Sequence, residues 1–408
     1  MFSTNKTIII EEMETDTGLI EILNFTIIAL LSECELSKSS MGNHRTAMGA
    51  KTLPGKYFSS QEVYDLETGN IFNKQWICVG RVDDLESEGQ YFLYQSENKS
   101  FIIVRSEDQK IRGFHNVCRH RGTRICDKSE GKFKQKIICP YHSWTYGLDG
   151  KLTGAANMKS VTGFEMDDYP LHPVACTTWE GFIFINQSQS PIPFESAYKP
   201  VLDRFKIWDI ASLKSVKKIV YEVKANWKVI FQNFNECYHC PPVHPLLSRL
   251  TALKSATNLL ESGPFLGGPM ILTKSSESMS MNGKRCADVL PGLPEEEHKH
   301  VHYYSLFPSV CISPHPDYVL VHRIERLSID RTKIICDLLF HPDSINKPDF
   351  NPNPAVELWD LTNRQDWNIC ELTYLGNSSE AYVPGPYSDL ESVLVAFDQH
   401  YLSQLEPQ

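Results

Sequence analysis

Residues 118–142, CRHRGTRICDKSEGKFKQKIICPYH, contain two short motifs that each combine one cysteine with one histidine. Cys118 and His120 stand in the first motif, and Cys139 and His142 stand in the second. These are the donors of a [2Fe–2S] cluster in which two thiolates hold one iron and two imidazoles hold the other. A Cys₂His₂ zinc site is the alternative, but zinc ligands usually come as a cysteine pair and a histidine pair.

The spacing C-x-H…C-x-x-H resembles the Rieske motif, and the resemblance extends to the flanking residues at 121–122 (RG) and 143–147 (SWTYG). The high-potential respiratory branch of that family has an additional cysteine in each loop, and the two are joined as a disulfide. Thr123 and Tyr141 occupy those positions here, so the chain is similar to the oxygenase branch.

A second candidate site lies in residues 229–248, VIFQNFNECYHCPPVHPLLS, where Glu236 is the one formally charged residue. The pattern predicts a helix over 224–240 that ends at a proline pair, with Glu236 and His239 three positions apart on one face. His244 follows the turn. A buried carboxylate with two histidines is costly unless these groups are paired or bind a metal. A satisfied polar network in the core is the alternative.

A helix predicted at 354–376 supplies a third donor. Asp366 falls within its apolar stripe, whereas Asp360, Arg364 and Glu371 lie largely on the opposite face. An acid on an apolar face requires a cation. Two histidines and one carboxylate form the facial triad of non-haem Fe(II) oxygenases, which leaves three positions open for O₂ and substrate.

The order acid, His, His and late Asp resembles the alpha subunits of Rieske oxygenases over about residues 53–405. The resemblance implies that His239, His244 and Asp366 hold the catalytic iron. It also implies that Glu236 connects the two metal sites, although the family more often has Asp at this position. Within the family, ECYHC…HP and the QDW context of Asp366 resemble the branch that attacks choline, glycine betaine or carnitine.

This resemblance implies O₂-dependent hydroxylation and N-demethylation of a small quaternary ammonium compound. Electrons would come from NAD(P)H through a separate flavin-containing reductase, because the chain has no G-x-G-x-x-G fingerprint. It further implies a homotrimer in which one subunit's cluster lies beside its neighbour's iron. An aromatic-ring-hydroxylating dioxygenase is the alternative enzyme, and an electron carrier or a regulatory ligand-binding protein are alternatives of other classes.

A quaternary ammonium ion cannot donate hydrogen bonds, so a site for it needs aromatic rings that attract the cation. Five aromatic residues of the second half are predicted as wall residues of such a pocket: Tyr238, Tyr303, Tyr304, Phe307 and Tyr318.

The predicted fold class is α+β. Short β-rich runs separated by turns predict an antiparallel Rieske [2Fe–2S] domain at 53–195 with a leading helix at 60–75. The Pro-rich stretch 190–200 is read as a linker. The catalytic domain at 196–408 is expected to combine an antiparallel sheet with helices, and the resemblance implies a helix-grip (START-like) fold. Residues 1–52 are an extension of unknown role.

The chain's net charge of -10 argues against nucleic acid or an anionic membrane as a partner, because no basic excess is available to neutralise phosphates. Twelve scattered cysteines favour a reducing cytosol over a secreted disulfide scaffold. The apolar run at 22–31 is shorter than the roughly 20 residues of a membrane-spanning helix, and acidic residues precede it. A small molecule is therefore the expected substrate.

Overall fold

The computed structural model describes residues 49–405, in which two seven-stranded antiparallel sheets provide the framework. The first sheet has the spatial order β1-β10-β9-β4-β3-β2-β5, and a three-stranded sheet has the order β6-β7-β8. Their strands are Ile77–Arg81 (β1), Gln90–Ser96 (β2), Lys99–Arg105 (β3), Ile111–His115 (β4), Glu130–Lys132 (β5), Lys136–Ile138 (β6), Thr145–Gly147 (β7), Leu152–Gly154 (β8), Pro173–Trp179 (β9) and Phe182–Asn186 (β10).

The second sheet has the order β11-β17-β16-β15-β14-β13-β12 and is also antiparallel throughout. Its strands are Lys214–Val223 (β11), Leu260–Ser262 (β12), Phe265–Ile271 (β13), His300–Leu306 (β14), Val310–Pro314 (β15), Val319–Ser328 (β16) and Arg331–Phe340 (β17).

The α-helices are Lys56–Ser59 (α1), Gln61–Glu67 (α2), Phe194–Ala197 (α3), Trp227–Phe234 (α4), Cys240–Val243 (α5), Leu247–Leu250 (α6), Pro342–Ile345 (α7), Asn353–Asn377 (α8) and Ser392–Leu405 (α9). Helix α4 contacts both α8 and β16, and α9 contacts β12 and β13. Helices α4, α8 and α9 therefore cover one face of the second sheet, whereas Phe194 of α3 packs in the core on the other face. The mixed helix and strand content confirms the predicted α+β class.

Alternating side chains explain why several strands are apolar on both faces. In β3, Phe101 and Ile103 belong to a core that also contains the helices, while Ile102 and Val104 pack in a separate core beneath residues 118–152. One face of strand β3 thus packs under the candidate cluster loops, and its other face belongs to the core that contains the helices.

The leading helix is shorter than predicted, since α2 ends at Glu67 and is followed by a π-helical turn at Thr68–Phe72. The Glu67 carboxylate is fully buried and accepts hydrogen bonds from Trp227 Nε1 at 2.8 Å, Tyr401 Oη at 2.7 Å and Lys228 Nζ. A buried charge needs such partners. The leading segment therefore packs against helices of the second half.

Two other sequence predictions differ from the structure. The stretch 190–200 is not a free linker, because it contains helix α3 and buries Phe194 and Tyr198 in an aromatic cluster. The helix predicted over 224–240 ends at Phe234, where the Asn235 side chain donates to the carbonyl of Phe231. This local bond competes with continuation of the helix.

The extension predicted at 1–52 lies largely outside the described residues. Within residues 49–405, no helix is both long enough and apolar enough to cross a membrane.

Candidate metal centres and active-site cavity

The two loops of the cluster motif have the same backbone geometry. In the first, Cys118 N–H donates to the carbonyl of Thr123 at 2.8 Å, and Gly122 N–H donates back to the Cys118 carbonyl at 3.0 Å. In the second, Cys139 makes the matching pair of bonds with Trp144 and Ser143 at 2.8 and 3.1 Å. Gly122 and Ser143 both have positive φ, which the tight turn requires. The two cysteines therefore occupy equivalent positions in their loops, whereas His120 follows its cysteine by two residues and His142 follows its cysteine by three.

These loops bring the four predicted ligands to one place. The Cys118 and Cys139 thiols are neighbours. Burial raises the pKa of Cys139, and the adjacent Cys118 thiol raises it further. The His120 and His142 rings lie 4.8 Å apart between centroids. Burial and the neighbouring His142 lower the pKa of His120, whose buried Nδ1 has no hydrogen-bond partner. A neutral imidazole with a free buried nitrogen fits a metal ligand.

The cluster loops end in an exposed apolar rim. Val117, Ile138 and Tyr141 are 42%, 54% and 55% exposed, although each directly adjoins a predicted ligand. Arg121 lies over the Tyr141 ring at 5.4 Å. Apolar side chains of this size, grouped at one surface, mark a region suited to contact with another protein.

The second site gathers residues from the α4–α5 connection and from α8. His239 Nε2 and His244 Nε2 lie 3.2 and 2.8 Å from Asp366 Oδ1, and one ligand atom from each residue falls within 4.8 Å of the others. His244 is 1% exposed. No Lys or Arg makes an ion pair with Asp366 among the described residues, so the carboxylate faces only the two imidazoles. This arrangement suits a divalent cation.

Hydrogen bonds fix which ring nitrogen of each histidine faces the site. His244 Nδ1 donates to Gln365 Oε1 at 2.8 Å, and His239 Nδ1 donates to Glu236 Oε1 at 2.5 Å. Both Nε2 atoms therefore point at Asp366, as metal-binding histidines do when an outer group holds the other nitrogen.

The electrostatics of the site without its cation agree with this orientation. Burial opposes charge on Asp366, but the hydrogen bonds from His239 and His244 lower its pKa overall. Burial likewise opposes protonation of His239, yet Asp366 and Glu236 raise its pKa to about 9. A proton on His239 occupies the position that a metal ion would take, since metal and proton compete for the same lone pair.

Glu236 reaches His239 through a turn rather than along a helix face. Its carboxylate also accepts the backbone N–H groups of Tyr238 and His239, a local pattern that competes with helix. The prediction that Glu236 and His239 project to one side therefore holds for a different geometric reason. Cys237 and Cys240 form a disulfide across this turn.

An apolar cavity opens over His239, His244 and Asp366. Four aromatic residues line it: Phe234, Tyr303, Trp359 and Trp367. Its polar lining consists mainly of amides and hydroxyls, and no Lys or Arg of the described chain belongs to it. His322 also faces the cavity, and burial lowers its pKa to about 4, so it is neutral.

The structure places one of the five predicted wall residues, Tyr303, on this cavity. The other four lie elsewhere, which corrects the prediction for them. Tyr238 is 57% exposed, and Tyr304 packs beside Arg204. Phe307 lies in the core, edge-on to Trp227 and His400 and tilted against Phe397. Tyr318 is buried, and its hydroxyl accepts a hydrogen bond from Trp359 Nε1.

Sequence reasoning missed Phe234, Trp359 and Trp367 as wall residues. Phe234 and Trp359 were visible only as parts of apolar helix stripes, which indicate burial without distinguishing core from cavity. Trp367 follows Asp366 directly and could have been found from that adjacency. His322 carried no signal, because a histidine inside a β-strand is as consistent with packing as with a cavity wall.

Two protein-family models match the chain. Residues 75–165 match the Rieske [2Fe-2S] domain, and residues 210–407 match the ring hydroxylating alpha subunit (catalytic domain). These are domains that hold a [2Fe–2S] cluster and a mononuclear iron, and the residues described above fit both groups.

Curated relatives include the glycine betaine monooxygenase oxygenase subunit of Chromohalobacter salexigens, which is 30% identical over 380 residues, covering 84% of this chain and 83% of that protein. The carnitine monooxygenase oxygenase subunit of Escherichia coli K12 is 36% identical over 200 residues, or 48% of this chain and 53% of that protein.

Solved structures give the same result. The quaternary ammonium Rieske monooxygenase CntA in complex with L-carnitine matches with a TM-score of 0.71 at 25% identity, covering 88% of this chain and 96% of that one. Naphthalene 1,2-dioxygenase from Rhodococcus shares the fold at 18% identity, with a TM-score of 0.71. On these matches, the chain belongs to the Rieske non-haem iron oxygenases and is an oxygenase alpha subunit.

Proposed function

We propose that this oxygenase hydroxylates an N-methyl group of a small quaternary ammonium compound such as choline, glycine betaine or carnitine. The cavity carries the proposal. Four aromatic rings line the cavity above His239, His244 and Asp366, and no Lys or Arg of residues 49–405 lines it. Aromatic faces attract a trimethylammonium group, and a nearby Lys or Arg would repel it.

The remaining cavity groups suit the other end of such a substrate. Asn258, Thr251 and Thr257 offer amide and hydroxyl groups, which can donate hydrogen bonds to a substrate hydroxyl or carboxylate. The relatives described above as glycine betaine and carnitine monooxygenase subunits support the same substrate class.

We assign the ligands as follows. Cys118 and Cys139 hold one cluster iron, His120 and His142 hold the other, and His239, His244 and Asp366 hold the catalytic iron. When bound, the cluster supplies single electrons and the iron activates O₂. The chain's own residues orient the two imidazoles, since Gln365 accepts from Nδ1 of His244 and Glu236 accepts from Nδ1 of His239, so that both Nε2 atoms face the iron site.

The overall reaction balances with two electrons from NAD(P)H. The N-methyl compound, O₂, two electrons and two protons give the N-hydroxymethyl compound and water. The N–CH₂OH group then loses a proton and its C–N bond breaks, which releases formaldehyde and the demethylated amine. The burial of Asp366 and the apolar walls limit water at the reacting carbon.

We also propose that electrons pass between subunits of a homotrimer, supplied by a separate flavin-containing reductase. The exposed rim of Val117, Ile138 and Tyr141 surrounds the cluster loops, and the exposed Tyr238 adjoins Glu236. An exposed apolar rim at the cluster loops and an exposed aromatic residue beside the iron site suit a contact between neighbouring chains. A structure related to this chain, with a TM-score of 0.75, has been described in terms of inter-subunit electron transfer.

We further propose boundaries at 53–195 for the Rieske domain and 196–408 for the catalytic domain. The matched ranges 75–165 and 210–407 lie within these limits. We also propose a cytoplasmic location, because seven cysteines of residues 49–405 besides Cys118 and Cys139 form no disulfide, which suits a reducing compartment.

The test is oxygen uptake by the purified holoenzyme with a surrogate reductase and NADH. The panel contains choline, glycine betaine, carnitine, benzoate and naphthalene, and formaldehyde is measured alongside. We expect uptake coupled to formaldehyde with at least one trimethylammonium compound and not with the aromatic compounds. A cis-diol from an aromatic substrate, without turnover of the ammonium compounds, would replace this proposal by the ring-hydroxylating alternative.

A further inference from the structure

A second group of two histidines and one carboxylate lies outside the active-site cavity. Glu297, His300 and His302 each offer a ligand atom within 4.8 Å of the others. None of the three lines the cavity above Asp366. The oxygenase reaction described above makes no use of this group.

Local structure explains why these residues meet. His300 and His302 are two positions apart in β14, so their side chains project from the same face of the strand. Glu297 belongs to the 3₁₀ turn Glu295–Lys299 that leads directly into that strand. His302 is 4% exposed and packs edge-on against Trp208.

One carboxylate oxygen faces two imidazole nitrogens at once. Glu297 Oε2 lies 2.7 Å from His302 Nε2 and 3.3 Å from His300 Nδ1. The His300 Nδ1 atom is buried and makes no aligned hydrogen bond. The His302 contact is a hydrogen bond and the His300 contact is not, whereas a cation placed among the three atoms would give all of them a partner.

The outer contacts of His302 turn its Nε2 atom toward this point. His302 Nδ1 lies 3.2 Å from Tyr304 Oη, which also receives a hydrogen bond from Arg204 Nη1 at 3.5 Å. Metal binding would replace the Nε2–H bond to Glu297, and Nδ1–H would then donate to the tyrosine oxygen, as an outer group does for other metal-bound histidines. The Arg204 charge opposes a cation here, and Glu297 together with its neighbours Glu295 and Glu296 offsets it.

We propose that Glu297, His300 and His302 bind a divalent cation of the zinc class, with water as the fourth ligand. Bonds of about 2.0–2.2 Å in a tetrahedron place ligand atoms roughly 3.3 Å apart. The 3.3 Å contact between Glu297 and His300 already matches, and the 2.7 Å contact between Glu297 and His302 must widen by about 0.6 Å. Glu297 and His300 are 21% and 30% exposed, which leaves a path for the ion and the water.

The cation would join the turn Glu295–Lys299 to β14, on the face of the sheet that carries Trp208 and Tyr304. The cation would stabilise the folded chain, because these three ligands are brought together only in the folded state and the ion therefore binds that state preferentially. The site is thus distinct in place and in role from the catalytic iron.

The test measures zinc retained after loading with Zn²⁺ and desalting, using the otherwise intact chain with His239→Ala, which removes the catalytic iron site. In that background we compare three further changes: His300→Ala, Glu297→Gln and the control His298→Ala. His298 lies in the same turn but hydrogen-bonds the Leu293 carbonyl instead. The Rieske absorption spectrum and thermal unfolding without zinc verify that each variant is folded.

We expect one zinc ion per chain in the His239→Ala protein and in the His298→Ala control, with a rise in thermal midpoint on adding zinc. His300→Ala and Glu297→Gln should lose both the ion and the zinc-dependent rise. The proposal is overturned if the parent protein retains no zinc, if His300→Ala retains it, or if the His298→Ala control loses it equally.

Discussion

The two regions that carry the family's metals are built in opposite ways. The cluster loops take four ligands from residues 118–142, hold them with matched backbone hydrogen bonds, and end in an exposed apolar rim. The iron site combines a turn after α4 with a residue of α8, and it buries His244 and Asp366 beneath an aromatic cavity. One region is open to protein contact, as electron transfer requires, and the other is enclosed, as oxygen chemistry requires.

The same difference predicts that the two regions can be damaged separately. The cluster ligands depend on short-range turns and a core of their own, whereas the iron ligands depend on helices that join the main core. Loss of one metal should therefore leave the other region's backbone in place.

The largest expected effect comes from removing single ligands. Asp366→Ala or His239→Ala should reduce oxygenation below detection while the EPR signal of the reduced Rieske cluster is kept. His142→Ala should remove that signal and leave the catalytic domain folded. EPR, iron content and oxygen uptake are measured on the same samples. A folded Asp366→Ala protein without the cluster signal would contradict the separation of the two regions.

A smaller loss is expected at Glu236, which touches His239 but is not assigned as an iron ligand. Glu236→Gln keeps the shape and loses the carboxylate, so oxygen-driven reoxidation of the pre-reduced cluster should slow by about 10–100-fold. Glu236→Asp retains the charge on a shorter side chain, so its reoxidation rate should lie between those of the unchanged protein and Glu236→Gln. Iron content separates the effects, because a fall in bound iron equal to the fall in rate would make Glu236 an iron-retaining residue instead.

Cavity aromatics should affect substrate affinity more than turnover. Tyr303→Leu removes a ring from the wall and should raise KM for the trimethylammonium substrate by about 10–30-fold, as the loss of up to about 2 kcal/mol of cation–π attraction implies. The matched variant Tyr303→Phe keeps the ring and should retain KM. An equal rise in both variants would show that the hydroxyl, rather than the aromatic face, contributes.

The smallest effect concerns acid stability of the catalytic half. His315 is fully buried with neither ring nitrogen hydrogen-bonded, and burial lowers its pKa to about 3. Below pH 6.5 the unfolded chain binds a proton at His315, whereas the folded chain does not. The contribution of neutral His315 to the free energy of unfolding is therefore complete above pH 6.5 and is lost as the pH falls toward 3.

His315→Leu removes this proton uptake. Relative to the unchanged protein, the variant should gain about 2 kcal/mol in free energy of unfolding between pH 8 and pH 5. Burial raises the pKa values of Asp317 and Asp398 to about 6, which acts in the opposite direction but equally in both proteins. Urea unfolding at the two pH values measures the difference. If the difference in free energy of unfolding between the two proteins does not change with pH, His315 titrates in the folded chain as it does in the unfolded chain.

Sequence reasoning was strongest where ligands are close along the chain. The cluster motif needs only two tight turns, and the structure brings Cys118, His120, Cys139 and His142 together. Asp366 lies more than a hundred residues from His244, and its identification depended on a charged residue inside an apolar stripe of a long helix.

Most residues of the cavity wall could not be predicted from the sequence, for a physical reason. A stripe of aromatic residues indicates burial but not whether the buried side faces packed side chains or open space, so Tyr318 and Phe307 looked equivalent to Tyr303. The turn at Glu236 was also missed, because periodicity alone would continue the helix, whereas the Asn235 side chain caps its end and the Glu236 carboxylate then accepts the backbone N–H groups of Tyr238 and His239.

The account's central claim is that the open cluster region of one chain serves the enclosed iron region of a neighbouring chain. His142→Ala and His239→Ala chains are co-expressed with two different affinity tags and purified on both tags in turn. This procedure yields mixed assemblies that contain both kinds of chain. If electrons cross between subunits, these assemblies should recover formaldehyde formation, because an intact cluster can face an intact iron site. Mixed assemblies that remain as inactive as either parent would contradict the claim.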